Sequence, residues 1–341
     1  MGKNKWMLTV LGIVLGALVS SLVLQYFNSP QKHFKGIHII FFNGGAVGDS
    51  FATVVYNGAK AAEKDLGPTV EYIWSDWDTD KMALQFKEAI DKSPDAICMM
   101  GHPGAGVLGP LMEEAIRKGI IVTLQNVDIP DIRKRYIDKG FGYTGQEVYA
   151  SGKMLATGAV RKFGLNKDDK ALVLGPGIGE DGQALNARGM RSRGCIDGLK
   201  DGGLTVYSMP ITPELESDPQ TLGADFVAKA LVKYPDIKVM IFDTGTFTAS
   251  AEAILKKIGK KPGEIIVVGF DLSQGTVKGI EDGYVSLVHD QQPYLQGYLP
   301  ILQVCLVKKY GFAGLYIDTG VGLIDKSNVE AVAELAKKQF R

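Results

Sequence analysis

Short apolar runs alternate with amphipathic stretches along most of the chain. Ten of these runs are rich in β-branched residues and predict strands, each followed by a Gly-rich turn and a helical stretch. They cover residues 38–42, 69–74, 96–100, 120–124 and 140–143 in the first half, and 171–174, 204–208, 239–242, 265–270 and 284–289 in the second. Continuous apolar strands that alternate with helices are typical of parallel sheets covered by helices on both faces.

The stretches between the strands have the period of amphipathic helices. Within 51–66 and 224–232, apolar side chains recur every three or four residues and fall on one stripe. The two halves also repeat a junction, because KSPD at 92–95 and KYPD at 233–236 each lead into a strand. Proline ends the preceding helix at both places. The sequence therefore predicts an α/β protein with two similar doubly wound parallel-sheet lobes.

The N-terminus carries a segment with the length and polarity of a membrane helix. Residues 7–27 contain no charged side chain, and Lys3 and Lys5 precede them. A helix of this length spans about 30 Å, the thickness of the apolar core of a bilayer. The segment is either a secretory signal or an uncleaved anchor, and its length and the lack of a clear A-x-A site favour the anchor. With 1–6 as a basic region kept inside and 28–35 as a tether, we expect the body in the periplasm or on the extracytoplasmic face of the cell membrane.

Charge and composition argue against several classes of protein. The 341 residues include 38 Lys and Arg and 38 Asp and Glu, so the formal net charge is zero. A nucleic-acid-binding protein needs an excess of basic residues, and this chain has none overall and no long basic run. The three cysteines and four histidines are far apart, which argues against a disulfide framework and a bound metal, and we predict no cofactor.

Two motifs associated with enzymes are incomplete. GIGEDG at 177–182 matches the dinucleotide pattern GxGxxG, but the next strand ends in SMP, without the acidic residue that would bind a ribose hydroxyl. GDS at 48–50 resembles the start of some esterases, but no histidine has an aspartate three residues before it. We therefore predict that the protein is not an enzyme, while a hydrolase that uses Asp49 or Asp271 stays an alternative.

Polar and aromatic residues follow the predicted strands at their carboxyl ends, where doubly wound sheets bind ligands. The candidates are Asp49, Phe51, Trp77, His102, Gln125, Asn126, Arg191, Asp243, Thr244, Asp271 and Gln291. Carboxylate, amide and guanidinium groups form paired hydrogen bonds with neighbouring hydroxyls, and aromatic faces pack against the apolar side of a sugar ring. One such residue alone is usually part of a solvated loop, but this set at many strand ends indicates a cleft for a small polar ligand.

Four stretches of sequence carry a family resemblance. They are GDSFATVVYNGAKAAEKDLG at 48–67, AIRKGIIVTLQN at 115–126, RSRGCIDGL at 191–199, and VVGFD at 267–271 followed by HDQQPYLQGYLP at 289–300. In these stretches the chain, from about residue 36 to its end, resembles the type I periplasmic solute-binding proteins, the ribose- and galactose-type components of sugar ABC importers. The resemblance implies an extracytoplasmic receptor for a small polar ligand, a sugar or polyol, that works with ABC permease subunits and is a monomer.

The resemblance also implies roles for individual residues. Ligand contacts of the family fall on Asp49 and Phe51, on the pair Gln125–Asn126, on Arg191 (with Arg193 as the alternate register), on Asp243 and Thr244, on Asp271 and on Gln291. Trp77 and His102 are additional candidates for the pocket lining. The acidic–basic pair that is usual after the fourth strand is replaced here by two amides. The ligand therefore stays open between sugars, cyclic polyols, nucleosides and autoinducer-like furanosyl compounds.

The family fold further implies a hinge with several crossovers between the lobes. We expect lobe 1 at 36–146 and 292–320, and lobe 2 at 147–291 and 321–341. A ligand that contacts both lobes only in the closed form shifts the open–closed equilibrium. A sensor of the same fold that signals to a membrane kinase or chemoreceptor is the main alternative. A repressor of the lactose type ranks far lower, because the apolar span stands where a helix-turn-helix would be.

Overall fold

The computed structural model describes residues 33–341. The predicted basic region, the membrane segment and most of the tether fall on residues 1–32 and lie outside the described residues. Within the described range, no helix has both the length and the apolar character needed to cross a membrane.

Two six-stranded sheets of the same order organise the described residues. Sheet A contains β1 (His38–Phe42), β2 (Thr69–Ile73), β3 (Ala96–Met100), β4 (Ile121–Gln125), β5 (Gly142–Gly145) and β11 (Tyr316–Asp318), in the order β2-β1-β3-β4-β5-β11. Sheet B contains β6 (Lys170–Gly175), β7 (Thr205–Pro210), β8 (Ile237–Phe242), β9 (Ile266–Phe270), β10 (Leu287–Asp290) and β12 (Gly322–Ile324), in the order β7-β6-β8-β9-β10-β12. Neighbouring strands are parallel except β12, which pairs antiparallel with β10.

Helices cover both sheets. Those of lobe 1 are α1 (Ser50–Leu66), α2 (Thr79–Asp91), α3 (Gly104–Arg117), α4 (Pro130–Tyr136) with a 3-10 turn at Ile137–Lys139, and α11 (Pro293–Tyr310). Those of lobe 2 are α5 (Val148–Phe163), α6 (Gly189–Asp201), α7 (Pro213–Ser217), α8 (Leu222–Lys233), α9 (Gly245–Lys257), α10 (Gln274–Glu281) and α12 (Glu330–Lys337).

The central strands are buried on both faces, as their continuous apolar sequences predict. All five residues of β3 are buried. In lobe 2 the side chains of Leu172 and Leu174 join one apolar cluster, while Ala171 and Val173 join the cluster on the opposite face of the sheet. Because successive side chains of a strand point to opposite faces, one apolar run supplies both layers of the core.

Side-chain caps determine where three helices next to the carboxyl ends of the strands begin. Oxygen atoms of Asp49, Thr244 and Ser273 each accept a hydrogen bond from the backbone amide three residues later, at 2.8, 3.2 and 3.1 Å. Such caps satisfy amides that the first turn of a helix leaves without a partner. They therefore place the starts of α1, α9 and α10 at this edge of the sheets.

All ten predicted strands are present, and the predicted fold class of two doubly wound lobes is confirmed. The prediction at 284–289 began three residues too early. Tyr284 and Val285 instead close the end of α10, where their amides donate to Gly279 O at 2.8 and 2.9 Å. Strands β11 and β12 were missed because three residues are too few to show a period.

The chain passes between the sheets three times, after β5, β10 and β11. Side chains join the second and third of these crossings. Gln292 Nε2 donates to Thr319 O at 2.9 Å, and Gln296 Nε2 donates to Thr319 Oγ1 at 3.2 Å. His289 Nε2 lies 2.8 Å from Gly320 O. These bonds make the neighbouring crossings one connected unit, while the exact lobe boundaries stay a prediction.

In lobe 1, two glycines allow α1 and α11 to approach closely. A Cβ atom on Gly297 would lie 1.9 Å from Val55 O, and one on Gly58 would lie 2.0 Å from Tyr294 O. Both clashes are with backbone, which cannot move as a side-chain tip can. The packing of α11, which follows the second crossing, therefore depends on glycine at these positions.

We expect Gly297→Ala to destabilise the protein by about 1–3 kcal/mol or more, because the added methyl group forces two helix backbones apart. The matched control is Gly106→Ala in α3, where a Cβ atom meets nothing within 4 Å. Thermal unfolding of the two variants measures the difference. Equal midpoints would contradict the assigned role of the glycine contact.

Candidate functional site: the interlobe cleft

Asp243, directly after β8, binds two arginines of lobe 2. Its Oδ1 accepts a hydrogen bond from Arg191 Nε at 2.5 Å, and its Oδ2 accepts one from Arg188 Nη1 at 3.0 Å. The Ser192 hydroxyl donates to the same Oδ2. Burial alone raises the pKa of the Asp243 carboxyl, but the two guanidinium charges outweigh it and hold the pKa below its usual range. Asp243 is therefore an ionised carboxylate with both oxygens occupied.

Strand β6 ends in Gly175, which lets the first turn of α6 pack closely against the end of β8. This turn carries Arg191 into the cleft. A Cβ atom on Gly175 would lie 2.2 Å from Ser192 Oγ and 2.9 Å from Asp243 Cβ. The guanidinium carbon of Arg191 lies 4.0 Å from the centre of the Phe270 ring, and Arg191 is only 3% exposed. Stacking and pairing together fix the plane of this guanidinium.

A chain of amides links the two lobes. Asn126 Nδ2 donates to Gln291 Oε1 at 3.2 Å and to Gln296 Oε1 at 3.1 Å. Gln291 Nε2 donates to Asp271 Oδ1 at 2.6 Å. Asn126 and Asp271 have φ angles of 63° and 71°, a conformation that short polar residues tolerate best. This series of hydrogen-bonded side chains runs from the end of β4 in lobe 1, through the β10–α11 crossing, to the end of β9 in lobe 2.

Trp77 is the centre of an aromatic wall on the lobe 1 side. Its ring centroid lies 5.9 Å from that of Phe51 and 5.4 Å from that of His102. Trp77 Nε1 donates to Asp49 Oδ2 at 3.1 Å. A Cβ atom on Gly45 would lie 2.8 Å from the same nitrogen, so glycine makes room for the indole. The aromatic wall therefore combines flat apolar ring faces with the neighbouring carboxylate of Asp49.

Several buried polar atoms at the strand ends of lobe 1 have no hydrogen-bond partner among residues 33–341. They are both side-chain atoms of Asn43, Gln125 Oε1, His102 Nδ1 and Thr144 Oγ1. Buried polar groups in folded proteins are nearly always hydrogen-bonded. Polar atoms without a partner along this edge of sheet A could be satisfied by a ligand with several hydroxyl groups.

Charges of the two lobes act on each other across the cleft. Burial, together with the positive charges of Arg188 and Arg191, lowers the pKa of His102 to about 3. Burial also raises the pKa of Glu216 in α7; Arg188 opposes this rise and Asp49 of lobe 1 adds to it. His102 is therefore neutral at pH 7 and lies within reach of the charges of Arg188 and Arg191.

The eleven residues predicted from the sequence lie on both sides of this cleft. On lobe 1 are Asp49, Phe51, Trp77, His102, Gln125 and Asn126; on lobe 2 are Arg191, Asp243, Thr244 and Asp271, and at the crossing is Gln291. Several of them also have structural contacts: Asp49 caps α1, Thr244 caps α9, and Gln125 Nε2 donates to Phe42 O at 2.8 Å. Their role in ligand binding stays a prediction. Arg193, the alternate register, lies outside the arginine pair and binds Asp197 Oδ2 at 2.9 Å.

Sequence reasoning missed Arg188 and Glu216. Arg188 stands three residues before Arg191, and this spacing places both side chains on one side of the first turn of α6, so the arginine pair was readable. Glu216 gave no signal, because α7 is a five-residue helix in the loop after β7.

We expect His102 to make the protein less stable as the pH falls from 6.5. The unfolded state binds a proton near pH 6.5, whereas folded His102 stays neutral until about pH 3, so stability is lost over that window. At pH 5 the loss is about 2 kcal/mol. His102→Gln should therefore lose less stability than the wild type between pH 7.5 and 5 in denaturant unfolding. The exposed His33→Gln is the control, and an unchanged loss in His102→Gln would refute the assignment.

Comparison with known proteins agrees with this geometry. Residues 39–309 match the family described as periplasmic binding protein domain. The xylose/arabinose-binding protein XylF of Sulfolobus acidocaldarius is 28% identical over 267 residues, which are 74% of this chain and 62% of that protein. The match thus spans about three fifths of the relative's length.

Two solved structures have the same fold. One is a carbohydrate transporter from Acidothermus cellulolyticus 11B in complex with myo-inositol, with a TM-score of 0.73, 22% identity, and coverage of 89% of this chain and 99% of that one. The other is an ABC transporter solute-binding protein from Burkholderia graminis C4D1M in complex with D-arabinose, with a TM-score of 0.73, 20% identity, and coverage of 86% and 97%. Because the family match covers well over half of the chain, the protein belongs to the periplasmic binding protein family.

Proposed function

We propose that the protein is an extracytoplasmic receptor that binds a sugar or polyol between its lobes and delivers it to an ABC importer. The observation that carries this proposal is the composition of the cleft. Buried amides, a guanidinium pair and an aromatic wall meet at the facing carboxyl ends of two sheets. This combination recognises hydroxyl groups by hydrogen bonds and a sugar ring by its apolar face.

The charges of the cleft favour a neutral ligand. Arg188 and Arg191 both pair with Asp243, and His102 is neutral. Burial raises the pKa of the nearby Asp271 carboxyl, and the positive charges of Arg191 and Arg188 oppose this rise. The arginine charges thus already act on carboxyl groups of their own lobe, which disfavours a phosphate or a carboxylate as the ligand. The relatives named above bind xylose, arabinose or myo-inositol, all of them neutral polyhydroxyl compounds, which supports the same class of ligand here.

Within this cleft we assign different tasks to the charged residues. Asp243 is a positioning residue, because its oxygens hold the arginines and the Ser192 hydroxyl. Arg191 and Asp271 then present a donor and an acceptor to the ligand from fixed positions. Gln291 connects this set to Asn126 of lobe 1, so a ligand that binds both lobes stabilises one interlobe arrangement over others.

The N-terminal segment fits the same role. We propose that residues 7–27 export the body and hold it at the outer face of the membrane, close to the permease subunits of the importer. Lobe boundaries at 146/147, 291/292 and 320/321 and a monomeric state complete the proposal.

A panel of ligands tests the function directly. We expect a thermal-shift screen with pentoses, hexoses, inositols and nucleosides at millimolar concentration to find one class that stabilises the protein. A micromolar ligand at a thousandfold excess over its dissociation constant adds about 4 kcal/mol, which raises the midpoint by several degrees. A shift with nucleosides alone, or with no member of the panel, would contradict the sugar assignment.

Asp271→Asn tests the site. The substitution keeps the shape, tolerates the positive φ and leaves an oxygen that can accept from Gln291 Nε2, but it removes the charge and the second acceptor oxygen. Loss of a hydrogen bond to a charged group costs about 1.5–3 kcal/mol, so calorimetry should show a loss of affinity of roughly 10- to 150-fold. The control Arg193→Ala, on the same side of the cleft but paired with Asp197, should bind as the wild type does. Equal affinity of Asp271→Asn and the control would remove Asp271 from the site.

A further inference from the structure

Lobe 1 carries a group of exposed apolar side chains at the end remote from the cleft. We call it the pole patch; it consists of Ile137, Tyr310, Phe312 and Leu315, which are 40, 55, 56 and 52% exposed. The rings of Tyr310 and Phe312 lie 5.9 Å apart. Ile137 O accepts a hydrogen bond from Gly314 N at 2.7 Å, so Leu315 follows directly beside it. Large apolar side chains grouped in this way on a soluble surface mark an interaction site.

The pole patch lies at the amino ends of the strands of sheet A. Phe34 precedes β1 by a few residues, Leu315 precedes β11 directly, and the 3-10 turn with Ile137 precedes β5. Because ligands bind at the carboxyl ends of such strands, the pole patch is at the opposite end of the lobe. Ligand binding therefore does not explain the exposure of these side chains.

The N-terminal part of the chain reaches the described structure beside the pole patch. Lys309 Nζ donates to His33 O at 3.1 Å and lies 5.3 Å from the ring centres of both Phe34 and Tyr310. Phe34 is only 7% exposed, so the chain is fixed to lobe 1 from this residue on. Five residues lie between Phe27, the last residue of the apolar span, and His33, so these two residues are at most about 20 Å apart. Any membrane that holds the span is therefore close to the pole patch.

The composition of this surface suits a bilayer interface. Tyrosine and phenylalanine are favourable at the boundary between the acyl chains and the head groups of a bilayer, and lysine attracts anionic lipids. Exposed lysines stand on the same elements as the pole patch: Lys134, Lys139, Lys308 and Lys309. Asp138 and Asp95 partly offset this charge by pairing with Lys139 and Lys308.

We propose that the pole patch rests on the lipid surface of the membrane in which residues 7–27 are anchored, so that lobe 1 contacts lipid with the end remote from the cleft. This inference rests on the anchoring that we propose above. Tyr310 and Phe312 insert at the head-group level, and the lysines around them face the phosphates.

Spin labels in the full-length protein, reconstituted in nanodiscs that contain anionic lipid, test the proposal. One label is placed at Phe312→Cys and a control label at Val232→Cys, which is on α8 of lobe 2 and 83% exposed. The native Cys98, Cys195 and Cys305 are buried. We expect the label at 312 to be relaxed far more strongly by oxygen than by a water-soluble nickel reagent, with the opposite order at 232. Equal and high nickel accessibility at both positions would overturn the contact with lipid.

Further outcomes separate this inference from the proposed function. If the protein does not stay with the nanodiscs, the anchor is wrong and the lipid contact falls with it. If the label at 312 is shielded from both reagents also without lipid, the pole patch is covered by a second copy or by residues 1–32, and the proposal is wrong. Calorimetry with D-arabinose, or with the sugar that stabilises the wild type in the thermal-shift screen, should give the wild-type affinity for the double variant Tyr310→Ser/Phe312→Ser, because the cleft is remote. If the wild type itself binds no sugar, the receptor function is refuted, but the conclusion from the spin labels is unaffected.

Discussion

The ion cluster around Asp243 is the interaction on which the cleft depends. A carboxylate without exposed surface is costly unless several charged donors surround it, and here two guanidiniums and a hydroxyl do so. The same contacts hold two arginines at the end of sheet B, where an unpaired arginine would be equally costly. Asp243 is the shared acceptor of the cluster, so its removal would take this partner from both guanidiniums and from the Ser192 hydroxyl at once.

The crossings between the lobes are the second feature on which the cleft depends. The neighbouring second and third crossings carry hydrogen bonds between side chains and backbone, and the amide chain from Asn126 through Gln291 to Asp271 follows the same route as the backbone. The cleft side chains of each lobe are thus positioned by their own sheet, and the crossings set the distance between the lobes. A ligand that spans the cleft adds bonds to both sides at once. Its binding energy then favours one interlobe arrangement over the others. A transporter can recognise this arrangement as the ligand-bound form of the receptor.

The sequence was sufficient for the fold, for physical reasons, and it placed the predicted site residues near the ends of strands. Buried parallel strands such as AICMM are continuously apolar, and polar residues follow the strands at one edge, so Asp271 and Gln291 were predicted from their positions and from the family resemblance. Their role in ligand binding stays a prediction. The contacts within the site were not readable, because they depend on three-dimensional distance. Asp243 was predicted to face the ligand, and only the structure reveals that two arginines occupy its oxygens. Glu216 lies on a helix too short to have a period, and β11 and β12 are too short for the same reason.

A crystal structure with a bound pentose such as D-arabinose tests the central claim most directly. The account predicts a sugar between the lobes, with hydroxyl groups in hydrogen-bond contact with Arg191, Asp271 and Gln291 and its apolar face toward Trp77. Asp243 should keep its contacts with Arg188 and Arg191 and make none with the sugar. A sugar bound outside the cleft, or a rotated Asp243 carboxylate that binds the sugar in place of the arginines, would contradict it.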